Sequence, residues 1–373
     1  MNSVEKVYVW QQVEWPHWRY DATQLAQLLH QVHLAQGLLL GRMHDLGMDL
    51  QDQATLRVLT EDVLKSSEIE GEKLNPHSVR SSIARRLGVD IGALAEPDRH
   101  VDGVVDMVLD ATQNRDAVLS EQRLFAWHAS MFPTGYSGLS KIRVGVWRDD
   151  SHGPMQVVSG SMRRQRIHYQ APDAVLLDAE MKDFLAWFNL DQRDDPVIKA
   201  GLAHLWFVTI HPFDDGNGRI ARALGDMALA KAERSAQRYY SLSSQIQRER
   251  KVYYEQLEAA QKSDMDVTQW LTWFLECLLR ALDGADETLS LVLAKARYWR
   301  VWAGMPMNER QVKLLNRLLD GFDGRLTSSR WGSMAKCSQD TALRDITDLV
   351  ERGVLMRSQA SGRSTCYELV PLP

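Results

Sequence analysis

The apolar residues of this chain recur mostly at three- and four-residue intervals, which predicts a succession of amphipathic helices. Asp21 is placed to cap a helix running through Leu25, Leu28, Leu29 and Val32 towards His44. Residues 52–70 read as a second helix that Gly71 stops, and Asn75-Pro76 begins a third that continues over 78–87. A loop over 93–98 leads to helices at 101–112 and 121–131. More follow at 174–189, at 197–210 behind Asp194-Asp195-Pro196, at 220–229, 239–247, 253–261 and 267–282. In the last of these Trp270, Trp273, Phe274 and Leu278 share one face.

Two stretches depart from that period. Ile142, Val144 and Val146 alternate with Arg143, Gly145 and Trp147; a turn-rich segment follows, then Met155, Gln156, Val157 and Val158. This predicts a β-hairpin over 142–158. Two strands are marginal by themselves, so the hairpin is either a surface excursion or a working part. From about 307 three short helices are expected: 310–319, one around Trp331, and 338–353. A short hairpin, 354–356 with 365–370, closes the chain. The expected fold class is mainly α. The expected division is an N-terminal helical region over 1–90, a core over 91–300 and a small domain over 307–373.

Composition narrows the class. No run approaches the eighteen apolar residues of a membrane span, and Met1-Asn-Ser-Val-Glu5 does not read as a signal peptide, so a cytoplasmic protein with no membrane partner is expected. Cys277, Cys337 and Cys366 have no metal-binding spacing. The net charge of −5 gives no global hint of nucleic acid. Residues 7–20 are dense in aromatics but poor in cations, which favours packing across a domain joint over stacking on RNA. Arg80, Arg85 and Arg86 read as a solvated helix face.

The chemistry concentrates in His211-Pro-Phe213-Asp-Asp215-Gly216-Asn217-Gly218-Arg219-Ile-Ala-Arg222, a polar loop between two helices. Gly216-Asn217-Gly218 can turn tightly enough to aim successive N–H groups into one concavity. Arg219 opens a helix whose free amides and positive dipole end favour an anion. Arg219 and Arg222 are three residues apart and can clamp one polyphosphate. Asp215 is an oxygen ligand suited to Mg²⁺, and His211 suits proton removal near neutrality. A Walker A loop is excluded because no Gly-Lys-Ser/Thr follows, and an EF-hand because Ile220 stands where glycine is needed. The set points to phosphoryl or nucleotidyl transfer.

This stretch resembles, without a gap, the Fic signature H-x-F-x-[D/E]-G-N-G-R-x-x-R. The resemblance implies an all-helical Fic core that uses ATP and Mg²⁺ to transfer AMP to a Tyr, Thr or Ser hydroxyl of a target protein or of itself. It implies His211 as the general base, Phe213 as the loop's anchor and Asp215 as the metal ligand. Gly216, Asn217 and Gly218 would form the anion hole, Arg219 would bind the outer phosphates, and Arg222 would reach the γ-phosphate or a regulatory carboxylate.

Three other segments resemble parts of the family. Ser66-Ser-Glu-Ile-Glu70-Gly71 resembles the Fic inhibitory motif [S/T]-x-x-x-E-[G/N], which implies that Glu70 pairs with Arg222 and takes the γ-phosphate's place. Met155, Gln156 and Val157 lie where the resemblance implies a flap that docks a target segment by strand addition. The family's adenine pocket falls in the later part of the core, where Tyr253 and Tyr254 are candidates, with core packing an equal alternative. The C-terminal part resembles a winged helix with Gly362-Arg363 at the wing tip. From Met307 onward ten Lys and Arg stand against eight Asp and Glu, and the exposed face of the third helix is expected to carry Asp340, Asp345 and Asp348 beside Arg344, so DNA is a minor reading there. A homodimer stays open. Two alternatives remain: a Fic hydrolase that removes AMP from a modified target, and a DNA-binding regulator whose core senses ATP.

Overall fold

The computed structural model describes residues 8–44, 46–91, 94–160, 164–190, 194–319, 325–358 and 365–371. Its elements in chain order begin with α1 (Ala22–His44), α2 (Met48–Ile69), α3 (Pro76–Leu87), α4 (Arg99–Gln113) and α5 (Glu121–Met131). Two small antiparallel hairpins follow, β1 (Tyr136–Ser137) with β2 (Ser140–Lys141) and β3 (Gln156–Ser159) with β4 (Arg166–Gln170). Then come α6 (Leu177–Asn189), α7 (Pro196–Ile210), α8 (Asn217–Glu233), α9 (Leu242–Arg248), α10 (Arg250–Gln261) and α11 (Thr268–Asp283). The chain continues with α12 (Ala285–Trp302), α13 (Glu309–Leu319), α14 (Ser328–Ala335), α15 (Gln339–Glu351), β5 (Leu355–Arg357) and β6 (Tyr367–Leu369). The protein is mainly α. Among the described residues no helix is long and apolar enough to cross a membrane.

Contacts divide the chain into two compact units, Met1–Asp286 and Glu287–Pro373. The first unit holds residues 1–90 together with the helices that follow up to Asp286. The helices start where their caps dictate. Asp21 accepts from the amides of Thr23 and Gln24, Asn75 from those of His77 and Ser78, and Asp195 from that of Val197.

α7 is apolar around nearly its whole circumference and is buried along it, as a central helix must be. Beside it lies α8, so the polar loop joining the two sits at the edge of the core. α4 crosses α5 at Gly103, where an ideal Cβ would lie 1.7 Å from the carbonyl oxygen of Ser130. Arg86 bonds Asp102 and Asp106 and so ties α3 to α4, while Arg85 bonds the carbonyl of Ala95. These two arginines are not a merely solvated face. The aromatic N-terminal stretch packs: Trp15 stands edge-on to Trp18 and Trp206 and donates to Glu180.

The expected 142–158 hairpin forms elsewhere. Gln156 pairs with Gln170 and Ser159 with Arg166, so the strands are β3 and β4. Residues 142–147 are not a strand because other partners take their backbone. The amide of Arg143 bonds Asp214 Oδ2 at 2.8 Å, that of Gly145 bonds His128 Nδ1 at 3.1 Å, and that of Arg148 bonds the Pro212 carbonyl at 2.9 Å. The segment is strapped to the polar loop instead.

In the second unit Tyr298, Leu314, Leu315, Trp331, Ile346, Leu349 and Val354 belong to one core built from α12, α13, α14, α15 and the β5–β6 hairpin. Asp345, expected on the exposed face of α15, is buried, where it accepts from Asn308 and Arg310. The expected wing tip, Gly362-Arg363, lies outside the described residues.

Candidate active site

The polar loop is fixed at both ends by conformations that ordinary helix termini allow. His211 caps α7 in the left-handed region, with φ 53° and ψ 58°, a placement that costs a non-glycine residue about 1–3 kcal/mol. Gly216 caps the start of α8 at φ 81°, and a Cβ there would press on Met131 and Phe132 at 3.0 Å. Asn217 staples the loop internally, accepting from the amide of Phe213 at 3.0 Å and donating to its carbonyl at 2.7 Å. Phe213 is fully buried and stacks on His128 with ring centroids 4.2 Å apart. His128 accepts from the Gly145 amide at Nδ1, which leaves Nε2–H to donate to the Asp215 carbonyl; burial pushes its pKa down to about 4, so the ring is neutral.

His211 Nδ1 lies 3.2 Å from the carbonyl oxygen of Val208. With its proton there, the ring leaves Nε2 as a free base. Burial lowers its pKa from 6.5, the positive Arg148 adds to that, and Glu70 and Asp215 oppose it. Asp215 is partly exposed; its carboxylate accepts from the Gly216 amide at 2.6 Å and from Ser137 Oγ. Among the described residues no group of three or more His, Cys, Asp or Glu could hold a metal by itself. One half-exposed carboxylate still fits Mg²⁺, which takes one or two carboxylates and completes its shell with water and phosphate oxygens.

Both motif arginines are buried at the first turns of α8 and held by the segment that ends α2. Arg222 Nη2 bonds Glu70 Oε1 at 2.7 Å and the Ser66 carbonyl at 2.8 Å, while its Nε donates to Ser66 Oγ at 2.9 Å. Ser66 and Glu70 thus meet Arg222, which lies far from them in sequence. Gly71 at φ 87° ends α2 behind them. The Glu70 carboxylate lies against the start of α8: an ideal Cβ on Gly218 would be 2.1 Å from Oε1. Arg219 Nη1 bonds Glu72 Oε2 at 2.7 Å, and His100 backs the other oxygen of Glu72. Arg219 Nε and Arg222 Nη1 are buried without a hydrogen-bond partner among the described residues.

Sequence reasoning missed Glu72, His100, His128, Ser137 and Arg148. Only Glu72 had a signal, a second carboxylate just past the Gly71 turn. Tyr253 is fully buried and bonds His204 at 2.9 Å, which makes it a core residue; Tyr254 is half-buried and donates to the carbonyl of Ile69. The described contacts do not bring Met155, Gln156 or Val157 into bonding distance of His211. They join it indirectly: Met155 accepts from Ala171, and Arg148 bridges Pro172 to His211.

The site is thus a helix–loop–helix in a helical body, carrying His211 and two buried arginines. Residues 118–229 match the Fic/DOC family model, and residues 8–89 match a domain of unknown function (DUF4172). The chain thus carries a Fic domain. It is 33% identical over 132 residues to the protein adenylyltransferase Fic of Culex quinquefasciatus, covering 34% of this chain and 25% of that protein. The Aedes aegypti protein of the same name is 26% identical over 251 residues, covering 65% of this chain and 45% of that one. The chain thus matches less than half the length of either relative. A crystal structure of a Fic family protein from Desulfovibrio desulfuricans shares the fold, with a TM-score of 0.55 at 21% identity over 94% of this chain and 96% of that one.

Proposed function

We propose that this chain is a protein adenylyltransferase, moving AMP from ATP to a Tyr, Thr or Ser hydroxyl, and that Glu70 restrains it. The observation that carries the reading is the start of α8: orphan helix amides and two buried arginines stand beside a histidine set up as a neutral base. The curated relatives named protein adenylyltransferase Fic point the same way.

In this reading the amides of Asn217 and Gly218 receive the phosphates, joined by that of Gly216 once it leaves Asp215 Oδ1. Asp215 would hold Mg²⁺, which supplies charge neutralisation on the phosphate oxygens. His211 Nε2 takes the proton of the target hydroxyl; its oxygen bonds the α-phosphorus, and the bond to the β-phosphate oxygen breaks to release pyrophosphate. Arg219 and Arg222 then stabilise the leaving charge. Glu70 opposes this by neutralising Arg222 and crowding Gly218. The flap residues Met155, Gln156 and Val157 would present the target along β3, whose only pairing among the described strands is with β4.

The test is intact-protein mass after incubation with Mg²⁺-ATP, for wild type, Glu70→Gly and Glu70→Gly/His211→Ala. A charge-assisted hydrogen bond contributes about 1.5–3 kcal/mol, so Glu70→Gly should gain AMP-sized increments roughly ten- to hundredfold faster than wild type. The double mutant should gain none. Loss of AMP from a modified protein, with no gain in any form, would instead assign the hydrolytic direction.

A further inference from the structure

We propose that Arg148 is the positioning residue of the site, holding His211 in its left-handed backbone and tying the base to the foot of the β3–β4 flap. The proposal rests on His211 being the base of the reading above.

The side chain of Arg148 is fully buried, and each of its three nitrogens has a separate partner. Nε donates to the His211 carbonyl at 2.8 Å, Nη1 to Asp150 Oδ1 at 3.0 Å, and Nη2 to the Pro172 carbonyl. Its own amide donates to the Pro212 carbonyl at 2.9 Å. Asp150 in turn accepts from the amide of Ala174 at 2.6 Å. Consecutive carbonyls of the strained His211-Pro212 link are thus both held by this one residue. A residue in the left-handed region persists only where its surroundings over-determine it, and no other described hydrogen bond reaches the His211 carbonyl. Pro172 follows β4 directly after Ala171, so a shift of the flap's foot reaches His211 through one rigid guanidinium.

The cation also acts through space. Arginine is not deprotonated in proteins. The groups facing the His211 ring are Arg148 from the loop before the flap, Glu70 from the end of α2 and Asp215 from the motif itself. Two carboxylates would favour the imidazolium, which is useless as a base. Burial is the main force against that charge, and Arg148 adds to it in opposing the two carboxylates.

The decisive measurement is the titration of His211 by NMR in ¹⁵N-histidine-labelled full-length protein, assigned with His211→Ala, together with kcat and KM for ATP in a Glu70→Gly background. Arg148→Gln should raise the His211 midpoint and lower kcat roughly ten- to hundredfold, the loss expected of a displaced base, with KM for ATP unchanged. Arg148→Lys keeps the charge but loses the fork, so it should titrate as wild type yet still lose kcat. A folded Arg148→Gln with unaltered midpoint and kcat overturns the proposal. If Arg148→Gln does not fold, unaltered kcat in Arg148→Lys does the same. A shifted midpoint in a chain that transfers no AMP supports Arg148 while refuting the transferase reading, so the two fail separately.

Discussion

Glu72 holds Arg219 as Glu70 holds Arg222, each pair closing at 2.7 Å, with only Gly71 between the two carboxylates. The end of α2 therefore occupies both cations of the motif. Glu72 is itself fastened, since burial works against its charge but His100 and Arg219 bring its pKa below 4.5. In the transferase reading, Glu70→Gly alone leaves Arg219 engaged. Adding Glu72→Gln should lower KM for ATP by about three- to tenfold, less than the roughly ten- to hundredfold of a buried charged hydrogen bond because Glu72 is part-exposed. Pyrophosphate release against ATP concentration measures it; an unaltered KM would show that Glu72 does not compete with the nucleotide.

The pH dependence follows from the neutral base. In the transferase reading His211 works only unprotonated, and burial lowers its pKa from 6.5. Turnover should therefore stay level through neutrality and fall only on the acid side of 6.5. Glu70 raises that pKa, so Glu70→Gly should carry the acid limb to lower pH than in wild type. Initial rates between about pH 5 and 8 decide this, and an acid limb centred above 6.5 would contradict it.

Gly103 sets the crossing of α4 and α5. Its missing Cβ would overlap the Ser130 carbonyl at 1.7 Å, and that backbone cannot give way as a flexible side chain could. Gly103→Ala should cost about 3 kcal/mol or more, the upper end of overpacking penalties, despite alanine's better helix propensity. Urea unfolding of the variant against wild type would show it as a lower midpoint.

The sequence by itself determined what is local. Caps at Asp21, Asn75 and Asp195 mark helix starts because a side chain reaches an amide two or three residues on. The left-handed turns at Gly71 and Gly216 follow from the residue type, and the spacing of Arg219 and Arg222 from the helical period. The Glu70–Arg222 pair was legible only through a resemblance between two separate motifs. Tertiary structure alone decided the rest. Alternating residues 142–147 look like a strand, yet the amides of Arg143 and Gly145 go to Asp214 and His128, and that of the adjoining Arg148 goes to Pro212. Asp345 looked exposed until Asn308 and Arg310 buried it. Arg148 meets His211 from 63 residues away, and Glu72 meets Arg219 from 147. Periodicity tells which face of a helix turns inward; it carries no label for the group that face will meet.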